Sequence, residues 1–333
     1  MSKVSVIVPN YNHARFLQQR IESILNQTYS DFELLILDDM SPDNSREVIE
    51  QYRQNPRVRI EYNTTNSGST YLQWKKGLAL TTAEYVWIAE SDDYADKDLL
   101  SCLVARLDAH PQAGLAVADS TIVDENNNVL GVHGRDLKIE GPFGAYTLPS
   151  VDDRYIRRGR DYCRAHMVPW NTIPNASGVL FRRSALAAVG GPATELRLCG
   201  DWYTYCKILM QFDICREPRP LNYFRTHTSN VRSRTKTMLY MTEQRHVRSY
   251  VRHTIGCREP RRYVVPLLRY ECELLIRDER RPPSGKVPGR RLPVVLARAV
   301  RFGPLLSLYT AAILLKEQVA RFIVAPIRNC FSA

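Results

Sequence analysis

The chain has 333 residues, enough for one large α/β domain with an appendage, and its 44% hydrophobic content can bury a core, which excludes a disordered chain. None of its eight cysteines pairs at the two-residue spacing of a zinc or redox site, so reduced thiols in a reducing compartment are expected. The net charge of +11 is concentrated: residues 245–301 hold fourteen Arg and one Lys against five Asp and Glu, so an anionic surface is expected as the partner of that region.

Met1-Ser2-Lys3 runs straight into Val4 to Val8, a β-branched run stopped by Pro9. That segment is too short and too strand-like for a secretory signal, so a cytoplasmic location is expected. Phe16, Leu17, Ile21, Ile24 and Leu25 then recur at helical spacing. Phe32 to Leu37 is a continuous apolar run, as a strand buried on both faces requires, and it ends in Asp38-Asp39 before a turn-prone Ser41 to Ser45. Residues 46–53 read as a helix, 58–62 as a strand, 66–68 as a loop, 71–80 as a helix and 85–89 as a strand running into Glu90-Ser91-Asp92-Asp93. This order predicts a mostly parallel, Rossmann-like sheet with helices on both faces. Ligands of such sheets bind beyond the carboxyl ends of the strands. Three strand ends carry suggestive residues: Pro9 to Asn12, Asp38-Asp39 and Glu90 to Asp93, and they are expected to converge on one crevice.

Residues 120–175 are irregular and rich in Gly, Pro and Arg; 179–181 reads as a strand and 201–210 as a helix. Beyond about 235 the pattern is helical, broken by several prolines. A boundary near 235 is therefore expected, dividing a catalytic domain of residues 1–235 from a basic helical region of residues 236–333.

Carboxylates crowded at one strand end raise each other's pKa unless a cation joins them. A hard divalent ion, Mg2+ or Mn2+, solves that problem and bridges to phosphate oxygens. The bland alternative is that Asp92 or Asp93 merely caps a helix beginning near Asp96.

The opening Val4-Ser5-Val6-Ile7-Val8-Pro9-Asn10-Tyr11-Asn12, followed by Ile24 to Tyr29, Phe32 to Leu34, Asp38 to Asp43, Asn66 to Gly68 and Ala89 to Asp93, resembles the family 2 inverting glycosyltransferases with the GT-A fold, of the kind that build bacterial polysaccharides and lipopolysaccharides. These motifs fall in order and register over about 95 residues. The resemblance implies that Pro9, Tyr11, Asn12, Asp39 and Asp92 surround the nucleotide, with Tyr11 against the base and Asp39 accepting a base N–H. It implies Asp93, with Asp92, at the metal and diphosphate. Glu90 stands where the family often has Asp, so which carboxylate ligates the ion stays open. Gly200-Asp201-Trp202 resembles the family's acidic motif at the start of a helix facing the donor sugar. Asp201 is then the base that deprotonates the acceptor, its ionised form favoured by the helix N-terminus. A plain helix cap is the alternative for Asp201, and a core position for Trp202. By the same resemblance Asn175 touches donor or acceptor hydroxyls, and Arg225 and His227 meet phosphate or metal.

The expected activity is metal-dependent transfer from a nucleoside-diphosphate sugar, UDP or dTDP before GDP, to a glycan or lipid-linked acceptor. The apolar stretch Phe302 to Leu315 has fourteen uncharged residues, too few to span a bilayer. A helix lying on the inner face of the cell membrane is one reading of it; a core helix with a basic face is the other. No Gly-x-Gly-x-x-Gly follows the first strand, which argues against a dinucleotide enzyme. A non-catalytic protein binding nucleotide sugars, or nucleic acid through the Arg-rich region, is the remaining alternative, though no nucleic-acid motif is found.

Overall fold

The computed structural model describes residues 2–133, 138–141, 144–147, 156–168, 170–173, 175–227, 237–257 and 271. The chain divides into two compact units, the first made of Met1–Leu137, Thr147–Arg234 and Glu243–Cys257.

That first unit is built on one sheet. β1 (Val4–Asn10), β2 (Phe32–Asp38), β3 (Val58–Tyr62) and β4 (Tyr85–Ile88) pair in parallel, with β1 between β4 and β2. A two-residue strand, β5 (Tyr94–Ala95), follows β4; then come β6 (Ala113–Val123) and β7 (Val129–His133), which form an antiparallel pair. In the second unit β8 (Lys138–Gly141) and β9 (Gly144–Thr147) make a separate hairpin. β10 (Ile156–Arg157), β11 (Val179–Arg182) and β12 (Asp213–Arg225) complete the main sheet, in the order β10-β12-β6-β11-β4-β1-β2-β3. β11 runs antiparallel between β4 and β6, so the sheet is mixed at its centre, while β12 lies parallel to β6.

Helices cover both faces because the strands are apolar on both. Val4, Val6 and Val8 pack with Leu17, Ile21 and Ile24 of α1 (Ala14–Leu25). The same core takes in Ile49 of α2 (Ser45–Glu50) and Leu99, Leu103 and Leu107 of α4 (Leu99–Ala109). Each such fully buried side chain contributes roughly 1.5–3 kcal/mol. Ile7 points the other way, to α3 (Thr70–Leu80); a Cβ on Gly77 would stand 2.5 Å from Ile7 Cγ2, so only glycine lets α3 lie this close. Among the described residues, a short α5 (Gly159–Tyr162), α6 (Arg183–Ala188), α7 (Gly200–Leu209) and α8 (Thr237–Ile255) are the remaining α-helices of four residues or more.

The elements expected over the first 90 residues are present within a residue or two, apart from a shorter α2, which ends at Glu50. Two long strands were not foreseen. β6 enters the segment expected to be irregular, and β12 carries Arg216, Glu217, Pro218 and Pro220, which disguise it. Its buried charges have partners, Arg216 with Asp119 of β6 at 2.5 Å and Glu217 with Arg106 of α4 at 3.1 Å, and the prolines fall at a register shift between Glu217 and Asn222. Neither Asp92 nor Asp93 caps the following helix, whose N-cap is Asp98. The basic region beyond residue 257 and the apolar stretch 302–315 lie outside the described residues, Glu271 apart. Among the described residues no helix is long and apolar enough to cross a membrane.

Candidate active site

The ends of β1 and β2 are tied together first. Asn10 Nδ2 donates to Asp38 Oδ1 at 2.8 Å and to Ser41 Oγ at 3.1 Å, and the Ser41 amide donates to Asp38 Oδ2 at 3.0 Å. Asn12 and Met40 both adopt φ of 61°, a left-handed backbone that is unfavourable for methionine by roughly 1 kcal/mol or more. Tyr11 and Met40 stand at this rim 49% and 55% exposed, with Pro9 buried behind them and Asn12 exposed beside them.

α3 organises the next layer from its first turn and a half. Gln73 Nε2 donates to Asp39 Oδ1 at 2.9 Å. Asn63 Nδ2 and the Ser67 amide donate to the same carboxylate at 2.5 and 2.9 Å, and Ser67 Oγ at 2.7 Å. Asp39, 4% exposed, thus anchors the loop 63–67 to the helix. Thr70 Oγ1 and Trp74 Nε1 donate to Glu90 Oε1 at 3.1 and 2.8 Å. Tyr71 Oη lies 3.5 Å from Asp201 Oδ1, and Asn171 Nδ2 is 3.4 Å from Asp201 Oδ2. One helix end therefore gathers Asp39, Glu90 and Asp201. Gly200 allows this: a Cβ there would stand 2.6 Å from the Tyr71 ring and 2.7 Å from the Ala193 carbonyl.

Asp92 and Asp93, though adjacent, point into different surroundings. β5 pairs with β12, Tyr94 opposite Tyr223 with rings stacked at 4.3 Å, and this brings the chain from 225 to 227 alongside the turn at 90–93. Asp93, 2% exposed, accepts the Arg225 amide at 2.9 Å and Asn175 Nδ2 at 3.0 Å. Asp92 Oδ2 instead faces His227 Nε2 at 3.0 Å, and the His13 ring stands 5.5 Å from that of His227. One ligand atom each from His13, Asp92 and His227 lie within 4.8 Å of one another. That spread is close to the ~4.2 Å that two ligands each about 2.1 Å from one ion can span. His13 Nδ1 is 2.9 Å from Ser91 Oγ, a contact that orients the ring.

The electrostatics separate the three carboxylates. Burial, with Asp92 beside it, pushes Glu90 up to about 8 against the hydrogen bonds from Trp74 and Thr70. Burial and the same neighbour raise Asp93 to about 7. Burial also works against ionising Asp92, but His13 and His227 outweigh it and hold this carboxyl down at about 2. Of the three, Asp92, which faces the imidazoles, is the carboxylate most favoured in its ionised form. Arg20, wholly buried on α1, donates from Nε to the Glu90 carbonyl at 2.9 Å and lies 5.2 Å from the Trp87 ring. Burial lowers its pKa to about 10, so it keeps a positive charge beneath the turn.

The other expected residues have internal work. Asn175 Oδ1 accepts the Gly178 amide at 3.2 Å while its Nδ2 holds Asp93. Trp202 is 3% exposed on the inner face of α7, in the core position that was its alternative. The Arg225 guanidinium donates to the carbonyls of Asp92 at 2.7 Å and Asp124 at 3.1 Å and to Asn127 and Gln19 at 2.8 Å, which makes it a brace under the turn. His13, Arg20, Tyr71, Gln73 and Trp74 were not singled out from the sequence. Only Arg20 carried a legible signal, as an arginine on the apolar stripe of Leu17, Ile21 and Ile24.

Known proteins resemble this chain in sequence and fold. A family model described as Glycosyl transferase family 2 matches residues 5–187, more than half of the chain. The chain is 31% identical over 191 residues to Uncharacterized glycosyltransferase alr2836 of Nostoc sp., covering 56% of this chain and 53% of that protein. It is 32% identical over 139 residues to the poly(ribitol-phosphate) beta-N-acetylglucosaminyltransferase TarS of Staphylococcus aureus, covering 41% of this chain and 22% of TarS. The chain thus spans about half, or less, of the length of these curated relatives. Among solved structures, S. aureus TarS 1-349 in complex with UDP-GlcNAc aligns with a TM-score of 0.60 at 18% identity, over 90% of this chain and 80% of that one. Mannosyltransferase PcManGT from Pyrobaculum calidifontis, in complex with GDP-Man and Mn2+, aligns with a TM-score of 0.52 at 17% identity, over 100% and 84%. At these identities the likeness is one of fold.

Proposed function

Because the chain belongs to glycosyl transferase family 2, we propose that it transfers a sugar, with inversion, from a nucleoside diphosphate to a hydroxyl of a glycan or lipid-linked acceptor. The observation that carries this reading is the gathering of Asp39, Glu90 and Asp201 around the N-terminal turns of α3, with the His13–Asp92–His227 group at the neighbouring strand end.

In this reading Tyr11 offers its exposed ring to the nucleobase, while Asp39 holds the loop that closes on it. His13, Asp92 and His227 would hold a divalent ion, which would supply Lewis-acid neutralisation of the charge on the diphosphate. This assigns Asp92 as the direct ligand; Asp93 supports the turn through Asn175 and Arg225. Asp201, in the first turn of α7, is the base. It takes the acceptor hydroxyl proton as that oxygen forms its bond to the anomeric carbon, and the bond from that carbon to the diphosphate oxygen breaks on the opposite face. The TarS complex with UDP-GlcNAc favours a UDP sugar as donor. Attachment of the Arg-rich C-terminal region to the inner membrane face remains part of the proposal. It predicts that deleting residues 285–333 moves the protein from the membrane to the soluble fraction, and an unchanged distribution would count against it.

The base assignment is tested with Asp201→Asn. Donor affinity stays within about twofold, and turnover falls by roughly 100-fold or more. Normal turnover in that variant would remove the assignment.

A further inference from the structure

Glu243 has no part in the chemistry above, yet it is a carboxylate only 5% exposed. It sits on α8, well beyond the segment that the family model matches. Its Oε1 accepts the Arg197 amide at 2.8 Å, and its Oε2 accepts the Leu198 and Cys199 amides at 2.8 and 2.9 Å. Three consecutive N–H groups converging on one anion form a nest, and hydrogen bonds to an ionised acceptor are about twice as strong as neutral ones.

The place of this nest matters more than its strength. Cys199 is the N-cap of α7, and its own side chain makes no cap. Glu243 satisfies that amide from another helix and brings negative charge to the positive end of α7. Asp201 follows two residues later, and its contacts with Tyr71 and Asn171, at 3.5 and 3.4 Å, are at the outer limit of hydrogen bonding, so a small rotation of α7 alters both. The part of α8 from Glu243 onward packs within the first unit. The Tyr203 ring of α7 meets His246 at 5.2 Å and Tyr250 at 4.9 Å, Val247 and Val251 are wholly buried, and Arg160 Nη2 donates to the Thr254 carbonyl at 2.8 Å.

We propose that Glu243 is a positioning residue for the transfer step: by clamping the amides of Arg197, Leu198 and Cys199 it sets the direction in which α7 presents Asp201. The helix after β12 then belongs to the catalytic machinery. This rests on the reading of Asp201 as base, and a double-mutant cycle separates the two claims. Glu243→Ala and Glu243→Gln are made alone and in the Asp201→Asn background. Activity is read as UDP release from UDP-GlcNAc with Mn2+, or as nucleotide release from whichever nucleotide sugar the wild type turns over, and UDP affinity is measured alongside.

Glu243→Ala lowers kcat by about 10- to 100-fold, the scale of a small misplacement of a reacting group, with the UDP Kd within about twofold. Glu243→Gln, which keeps one oxygen to accept the Leu198 and Cys199 amides, falls between. On Asp201→Asn neither change costs more than about a further twofold, because both act through the same carboxylate. Full kcat in folded Glu243→Ala, loss of UDP binding in step with kcat, or losses that multiply with Asp201→Asn each overturn the proposal. If the alanine variant does not fold, Glu243→Gln carries the same comparison. A wild-type rate in Asp201→Asn alone would instead withdraw the base, an outcome the variants at 243 do not produce.

Discussion

His227 Nε2 lies 3.0 Å from Asp92 Oδ2 across 135 residues of chain, because the pairing of β12 with β5 delivers the one to the other. With His13 this makes a set of two imidazoles and one carboxylate. Mg2+ prefers oxygen ligands and sheds its water reluctantly, whereas imidazole nitrogen suits later divalent metals better. Titration calorimetry without nucleotide should give Mn2+ an affinity about 10-fold or more above that of Mg2+. His13→Ala and His227→Ala should each weaken Mn2+ by roughly 10-fold or more. Wild-type Mn2+ affinity in both variants would show that the ion, if bound, sits elsewhere.

Glu90 makes the metal-free protein sensitive to alkali. Its folded pKa of about 8 is above the ordinary 4.5, so its contribution is fully present below pH 4.5 and is lost as pH rises toward 8. In that window the folded chain keeps a proton that the unfolded chain has released, and stability falls by up to about 1.4 kcal/mol per pH unit. Asp93 adds a slope of the same sign between 3.8 and about 7, while Asp92, held near 2, has its effect only at more acid pH. Urea unfolding from pH 5 to 8 in EDTA should show the decline, and Glu90→Gln should lessen it, leaving below about pH 7 the slope due to Asp93. An equal slope in the variant would assign the proton to another group.

Arg225→Ala separates a brace from a phosphate ligand. Arg225 is 2% exposed, its guanidinium has four oxygen partners and lies 4.5 Å from the Phe16 ring. Its removal should cost roughly 2–5 kcal/mol of stability, seen as a lower urea midpoint. Unchanged stability with weakened diphosphate binding would mean that Arg225 serves the ligand directly.

Gly200→Ala tests whether α3 and α7 must touch. The added methyl meets the Tyr71 ring and a backbone oxygen, and that oxygen cannot rotate away. Overpacking of this kind costs about 1–3 kcal/mol, and turnover should fall more than nucleotide affinity because Asp201 moves with α7. Equal turnover at full occupancy would detach the activity from this contact.

The parallel strands were legible because burial on both faces demands unbroken apolar runs such as Phe32 to Leu37, and their ends pointed to the site. β12 was not, because its buried charges have partners on β6 and α4 that no local pattern reveals. Asp92 and Asp93 were indistinguishable as letters; the short β5 decides which one turns inward to Asn175. His13 was passed over because its neighbours, Ser91 and His227, come close only through the fold. The resemblance places Asn175, Arg225 and Asp93 at ligand atoms, whereas their hydrogen bonds in the fold support the turn at 90–93.

A thermal-shift panel of nucleotide sugars, run with Mn2+ and with EDTA, bears most directly on the account. A UDP or dTDP sugar at about 100-fold excess over its Kd should raise the Tm by roughly 5 °C with Mn2+, much less with EDTA, and much less in His227→Ala. No shift with any nucleotide sugar, or the same shift in EDTA and in the variant, would contradict a metal-bridged diphosphate at this strand end.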